Sequence, residues 1–358
     1  MATKSSDEAL SLSEIKAWVS EDDHVWIREG DEKEAANRKE IEANSGYNVA
    51  NLFGADSDSD DDDNGTKNLR VQQWRSSAIN PDGIGGFQPL TRDVDDDDNS
   101  KEDENLVKLV FILSESYQGF GDTLWSSARH VSNLLANPSK CLEVLAPMFA
   151  HREEKCDEDL DQSLSPLHGI SFLELGAGAG VPSWAAMHCG ARVVCTDLSD
   201  TNRIRSMAEC AERNFRLMME GSSSTSSSTL QNAKMARVCP HDWGSPIENV
   251  ALALNKSGNE RYDVIIGADC AYMPWLHNEL LDSIDKLLSD IGVALLPFAL
   301  HGNTVDDDVW KIVDRAKDKG FVVEVLESQQ LSPPTSAMDA KQGLVHTVRL
   351  TKKAINSA

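Results

Sequence analysis

Apolar positions along the chain fall into short runs bounded by glycine, proline and acidic residues, and the runs alternate between two periods. Continuous apolar runs predict buried strands at 170–175, Arg192–Thr196, Ala236–Pro240, Asp263–Ala268, Val293–Ala299, Phe321–Leu326 and Val345–Thr351. Between them, apolar residues recur three and four apart and predict helices over Pro182–Cys189, Thr201–Met219, Leu276–Ser289 and Asp306–Lys319. A further β-rich run, Leu106–Leu113, leads through Gln118–Trp125 into a helical stretch, Ser126–Ala136. Alternation of this kind implies an α/β fold, with a mainly parallel sheet covered by helices on both faces. Residues 151–166 read as a loop, and the serine-rich stretch 221–229 as a flexible linker.

The pattern fails before residue 106. A capping box at Ser11–Glu14 heads one short amphipathic stretch, with Leu12, Ile15, Trp18 and Val19 at helical spacing. Then come two acidic blocks, Ala55–Asp63 and Asp93–Asp98, with Trp74, Ile79 and Phe87 too sparse between them to define a domain. Such blocks repel themselves and bury no core. The expected organisation is therefore an acidic, largely disordered region over 1–105 and one folded domain over 106–354.

Charge sharpens that division. The 358 residues carry 59 acids against 34 bases, and residues 1–105 alone hold 27 of the acids and 11 of the bases. A balance this acidic argues against nucleic acid as the partner, since phosphate binding needs a positive footprint. It suits a basic partner or a solubilising tail. Ser57 and Ser59, each followed by acids, suit an acid-directed kinase. The seven cysteines form no C-x-x-C pair and sit mostly in apolar runs, as reduced core residues do, so no metal framework is expected. No apolar stretch is long enough to span a bilayer and no signal sequence opens the chain, so the expected compartment is the cytoplasm, with the nucleus left open.

The candidate chemistry starts at Ile170–Pro182, where a strand carrying Glu174 breaks into a turn containing Gly176, Gly178 and Gly180. Strand, glycine turn and helix together begin a nucleotide-binding α/β unit. Turns of this kind serve nicotinamide dinucleotides and S-adenosylmethionine alike. The dinucleotide fingerprint G-x-G-x-x-G fails in both registers, at Val181 counting from Gly176 and at Ser183 counting from Gly178. Glu174, two residues before the first glycine, can face the cationic amino-acid half of S-adenosylmethionine. Asp197 ends the next strand and can accept hydrogen bonds from two ribose hydroxyls. Asp242 can accept from an adenine amine and Trp243 can pack on its ring. Ala268 ends the fourth strand, and Asp269 and Tyr272 follow it, at the carboxyl end of the sheet where open α/β folds bind ligands.

The motifs E-L-G-A-G-A-G, T-D-L, H-D-W-G and A-D-x-x-Y, in this order, resemble those of the seven-strand S-adenosylmethionine-dependent methyltransferases. More narrowly they resemble methyltransferase family 16, which groups protein-lysine N-methyltransferases with nicotinamide-N-methyltransferase-like proteins. The resemblance covers about Leu106–Lys352. It implies a Rossmann-like seven-stranded sheet with helices on both faces and a final antiparallel hairpin, and S-adenosyl-L-methionine as cofactor. It also implies roles: Gly176, Gly178 and Gly180 around the methionine half with Glu174 close by, Asp197 on the ribose, Asp242 and Trp243 on the adenine, Ala268 among the cofactor-binding residues, Trp125 closing the pocket, and Asp269 and Tyr272 facing the methyl group and the nucleophile. Cys270-Ala271 departs from the family pattern, which has bulkier apolar residues there.

Methyl transfer to an amine needs alignment and a neutral nitrogen lone pair, while free lysine has a pKa near ~10.4. The leading expectation is a protein N-methyltransferase acting on lysine of a basic protein, such as a translation elongation factor or a chaperone. A small-molecule, nicotinamide-type N-methyltransferase and a non-catalytic cofactor-binding module are the alternatives. Trp275, His277 and His301 read as ordinary loop or helix residues, and His241 receives no role.

Overall fold

The computed structural model describes residues 70–77, 87–89, 106–113, 124–152, 165–200, 236–254, 260–301, 305–331 and 343–353, with isolated positions at 203–215, 258 and 341. The helix expected behind Ser11, the acidic blocks, Ser57, Ser59 and the serine-rich stretch lie outside them. In chain order, β1 (Arg70–Ser77), β2 (Phe87–Pro89) and β3 (Leu106–Leu113) form an antiparallel sheet in the order β2-β1-β3. The first two strands fall inside the stretch expected to be disordered. They are joined by backbone pairing, Arg70 opposite Leu113 through to Ser77 opposite Leu106, and backbone pairing leaves no mark in an apolar count. Leu109 and Phe111 of β3 are fully buried in the core of the main domain.

Helices α1 (Ser126–Ala136), α2 (Pro138–Val144) and α3 (Ala146–Arg152) follow. Only α1 was expected. The other two are a pair of short turns, the first capped by the Asn137 side chain accepting from the Lys140 N–H with Pro138 behind it. The domain proper then alternates: β4 (Ser171–Glu174), α4 (Val181–His188), β5 (Arg192–Asp197), β6 (Ala236–Pro240), α5 (Glu248–Leu254), β7 (Tyr262–Ile266), α6 (His277–Leu287), β8 (Leu288–Ala299), α7 (Asp306–Asp318), β9 (Val322–Val325), β10 (Gln329–Gln330) and β11 (Leu344–Thr351). Helix α7 shows why the local sequence suffices. Three aspartates fill its first turn, Arg315 and Lys317 its last, and Val309, Ile312 and Ala316 its buried stripe.

The main sheet runs β6-β5-β4-β7-β8-β11, with β9 and β10 both on the outer edge of β11. Strands β4 to β8 pair in parallel, and β11 lies antiparallel between β8 and the edge. This is the expected Rossmann-like sheet with its terminal antiparallel pairing of β9 and β11. Each central strand divides its side chains between two cores. Phe172, Val193, Val264 and Leu295 pack with α1 and α4, whereas Leu173, Val194, Ile265 and Leu296 pack with α5, α6 and α7. Each such side chain contributes about 1.5–3 kcal/mol on burial, so the two cores fix which face every loop leaves from. The chain order reverses direction between β4 and β7, and the loops from their carboxyl ends open at that switch point.

Candidate active site

The glycine turn is held by contacts on three sides. Gly176 has a φ of +65°, and a Cβ there would meet the Trp243 ring at 2.9 Å and the Cys270 Sγ at 3.0 Å. Only a glycine permits both the left-handed backbone and that approach. Cys270, where the chain departs from the family pattern, packs against this turn, its buried thiol donating to the Leu175 carbonyl at 3.2 Å. Gly180 is the left-handed N-cap of α4, pressed against Trp184, whose indole N–H donates to the Ala179 carbonyl.

Glu174 is 1% exposed at the end of β4. Its Oε2 accepts from the Ser183 N–H at 2.9 Å and the Ser183 hydroxyl at 2.5 Å, so it caps α4 from the neighbouring strand. Its Oε1 is buried without a hydrogen-bond partner. Burial pushes the carboxyl pKa up to about 8, against the Ser183 hydrogen bonds, with the charge of Asp197 adding to the rise. A buried acceptor of this kind is costly unless a cation or donor meets it.

Asp197 is equally engaged. Oδ2 accepts from the Gly178 N–H at 2.6 Å; Oδ1 accepts from the Leu198 N–H at 2.7 Å and from the Arg203 guanidinium at 2.8 Å. The expectation of two ribose hydroxyls on this group thus meets a carboxylate already holding three donors, with one lone-pair direction left on Oδ2. Arg203, six residues on, is the residue that sequence reasoning missed here, and its burial against Asp197 shows only in the structure. Asp242 accepts from the Ser199 N–H at 3.1 Å, tying the β6 loop to the β5 loop. Trp243, half-buried, lies over Gly176. His241 braces that loop from behind, its Nε2 3.0 Å from the Ser283 hydroxyl.

A second group gathers around His301, which the sequence reading passed over. Its Nε2 lies 3.1 Å from both oxygens of Asp269. The Trp125 ring stands edge-on to it at 4.6 Å between centroids, and the Tyr272 ring at 6.4 Å. Asp269 is the one non-glycine residue with positive φ (+56°) among those described, and it is 5% exposed. Its N–H donates to the Pro297 carbonyl at 2.7 Å and its Oδ1 accepts from the Ala299 N–H at 3.3 Å. Burial raises the Tyr272 phenol well above its usual range. Ala268 packs at the edge of the first core and Cys270, next to Asp269, touches the glycine turn, so the two groups are contiguous. His277 belongs to the frame: fully buried and held neutral by burial, with its pKa lowered to about 4, it donates Nε2–H to the Ala271 carbonyl at 2.7 Å.

A family model described as lysine methyltransferase matches residues 105–303, over half of the chain. The chain belongs to that family. Among curated members, a protein N-terminal and lysine N-methyltransferase efm7 of Aspergillus fumigatus is 29% identical over 189 residues, covering 52% of this chain and 59% of that protein. Its counterpart EFM7 in Gibberella zeae is 29% identical over 184 residues, covering 49% and 65%. The chain thus spans less than two thirds of either relative's length. Among solved structures, a TehB-like SAM-dependent methyltransferase from Corynebacterium glutamicum is 19% identical with a TM-score of 0.35, covering 65% of this chain and 90% of that one. The lysine methyltransferase match runs from the start of β3 to just beyond His301, and so takes in every residue of both groups.

Proposed function

We propose that the chain is an S-adenosylmethionine-dependent N-methyltransferase acting on a protein amine, with lysine of a basic protein as the substrate. The observation that carries the cofactor assignment is Glu174: a buried carboxyl with one unpartnered oxygen, beside a turn that accepts no Cβ. That buried, unmet acceptor fits a cationic amino acid. When bound, S-adenosylmethionine supplies a methyl group on a sulfonium sulfur, which leaves with the C–S electron pair as the amine forms its N–C bond. The chain's own residues orient and select. Glu174 and the glycine turn hold the methionine half, Asp197 meets a ribose hydroxyl through Oδ2, and Asp242 and Trp243 hold the adenine. Asp269 accepts a hydrogen bond from the incoming amine and turns its lone pair inward, and Tyr272 and Trp125 wall the approach from water.

The curated relatives are named for two protein amines, the N-terminus and lysine, and the family model for lysine, which supports a protein substrate over a small pyridine. The acidic N-terminal region supports a basic one, with translation elongation factors and chaperones as the candidates. Incubation with methyl-labelled S-adenosylmethionine and a desalted cell lysate tests the reading. Label in protein bands is the expected result, and label confined to small molecules would replace it with the nicotinamide-type alternative. Calorimetry comes first: preference for NAD over S-adenosylmethionine would remove the reading altogether.

A further inference from the structure

His301 has no part in the motifs that mark the site, yet Trp125 from one segment and Asp269 and Tyr272 from another all converge on it. We infer that His301 is a positioning residue for methyl transfer, holding the Asp269 carboxylate in the orientation that meets the incoming amine and offsetting its charge. The inference rests on the proposed methyltransferase reading. Its geometric basis is the way Asp269 is pinned. The backbone is held in a left-handed conformation that is strained for a non-glycine residue, and its N–H is tied to the Pro297 carbonyl. One imidazole N–H then bridges both carboxylate oxygens at equal distance and the Ala299 N–H meets Oδ1, leaving Oδ2 a lone pair for a further donor.

Charge gives the pinning a purpose. A bare carboxylate at this point would bind a lysine ammonium, whose nitrogen has no lone pair to react. Burial alone would favour neutral imidazole, but the hydrogen bond and charge of Asp269 outweigh it and hold the His301 pKa above its ordinary value. The pair is therefore closer to neutral than Asp269 alone, and the site selects the neutral amine. Among the described residues, Asp269 and Tyr272 are titratable groups that face the ring.

The test compares His301→Ala with His301→Gln, whose amide retains a donor for Asp269. The kinetic probe is the protein most strongly labelled in the lysate, purified. For His301→Ala, kcat should fall about ten- to a hundredfold, KM for the protein should stay level or fall as unproductive ammonium binding is released, and the calorimetric Kd for S-adenosylmethionine should stay within about twofold. His301→Gln should recover a substantial part of kcat. A kcat near wild type in the alanine variant would overturn the inference, as would a loss of cofactor affinity matching the loss of kcat. An independent readout needs no turnover: in Asp269→Asn the His301 pKa, followed by NMR, should drop, and an unmoved pKa would show that the pair does not exist. If wild type labels no protein while this NMR shift is present, the methyltransferase reading has failed rather than the pairing.

Discussion

Glu174→Gln separates the folding cost of a buried carboxyl from its use. The amide has the same shape, and its oxygen can still accept from the Ser183 N–H and hydroxyl. Burial moves the Glu174 ionisation from its ordinary 4.5 to about 8. The folded state thus keeps the proton to a higher pH than the unfolded chain does, and stability is lost as pH rises between those two values and stays level above the upper one. At about 1.4 kcal/mol per pH unit, the loss is about 1 kcal/mol at pH 5 and about 4 kcal/mol at pH 8. The positive N-terminus of α4 opposes part of this, which makes the difference of about 3 kcal/mol a ceiling. Guanidinium unfolding of both proteins without cofactor, at about pH 5 and pH 8, should show the glutamine variant gaining stability on wild type mainly at the higher pH. Other titrating groups are common to both and cancel. Cofactor binding should then show the reverse preference: near neutral pH wild type should release close to one proton on binding S-adenosylmethionine, read from calorimetry in buffers of different ionisation enthalpy, and the variant should release none and bind more weakly. Equal stability increments at both pH values, together with equal affinities, would refute the account of Glu174.

Gly176→Ala should lose cofactor affinity and cost the fold about 1–3 kcal/mol, because the new methyl meets Trp243 and Cys270 in a left-handed backbone; calorimetry and thermal unfolding measure the two effects. Arg203→Ala should destabilise by about 3–5 kcal/mol by leaving Asp197 buried and unpaired, as chemical denaturation would show. His277→Ala should cost about 1–3 kcal/mol for the orphaned Ala271 carbonyl, with cofactor Kd unchanged in the folded fraction. Deletion of residues 1–69, which carry 18 acids and 7 bases and end before β1, should lower kcat/KM on the protein substrate at low salt and leave it level at high salt.

Much of the fold was legible because its strands are buried on both sides and read as continuous apolar runs; Ala236–Pro240 and Ser126–Ala136 match residue for residue. The short helices α2 and α3, the strand β1 and the edge strands β2 and β10 were not, since little but local caps and backbone pairing marks them. In the site, the glycine turn and the acids at the strand ends were visible as motifs. What those acids touch was not. Arg203 against Asp197 and His301 against Asp269 are pairings across 6 and 32 residues, and only the second crosses between strands, where sequence spacing carries no signal. His301 follows β8 in a stretch with no motif around it, so only the packing of three loops identifies it.

The central claim is that the site at the switch point transfers a methyl group to lysine. Acid hydrolysis of the protein labelled from methyl-labelled S-adenosylmethionine, followed by chromatography of its amino acids, tests it most directly. The label should co-elute with methylated lysine, and should vanish with Asp269→Ala while cofactor binding persists. Label recovered on any other amino acid, or on a small molecule alone, would contradict the claim.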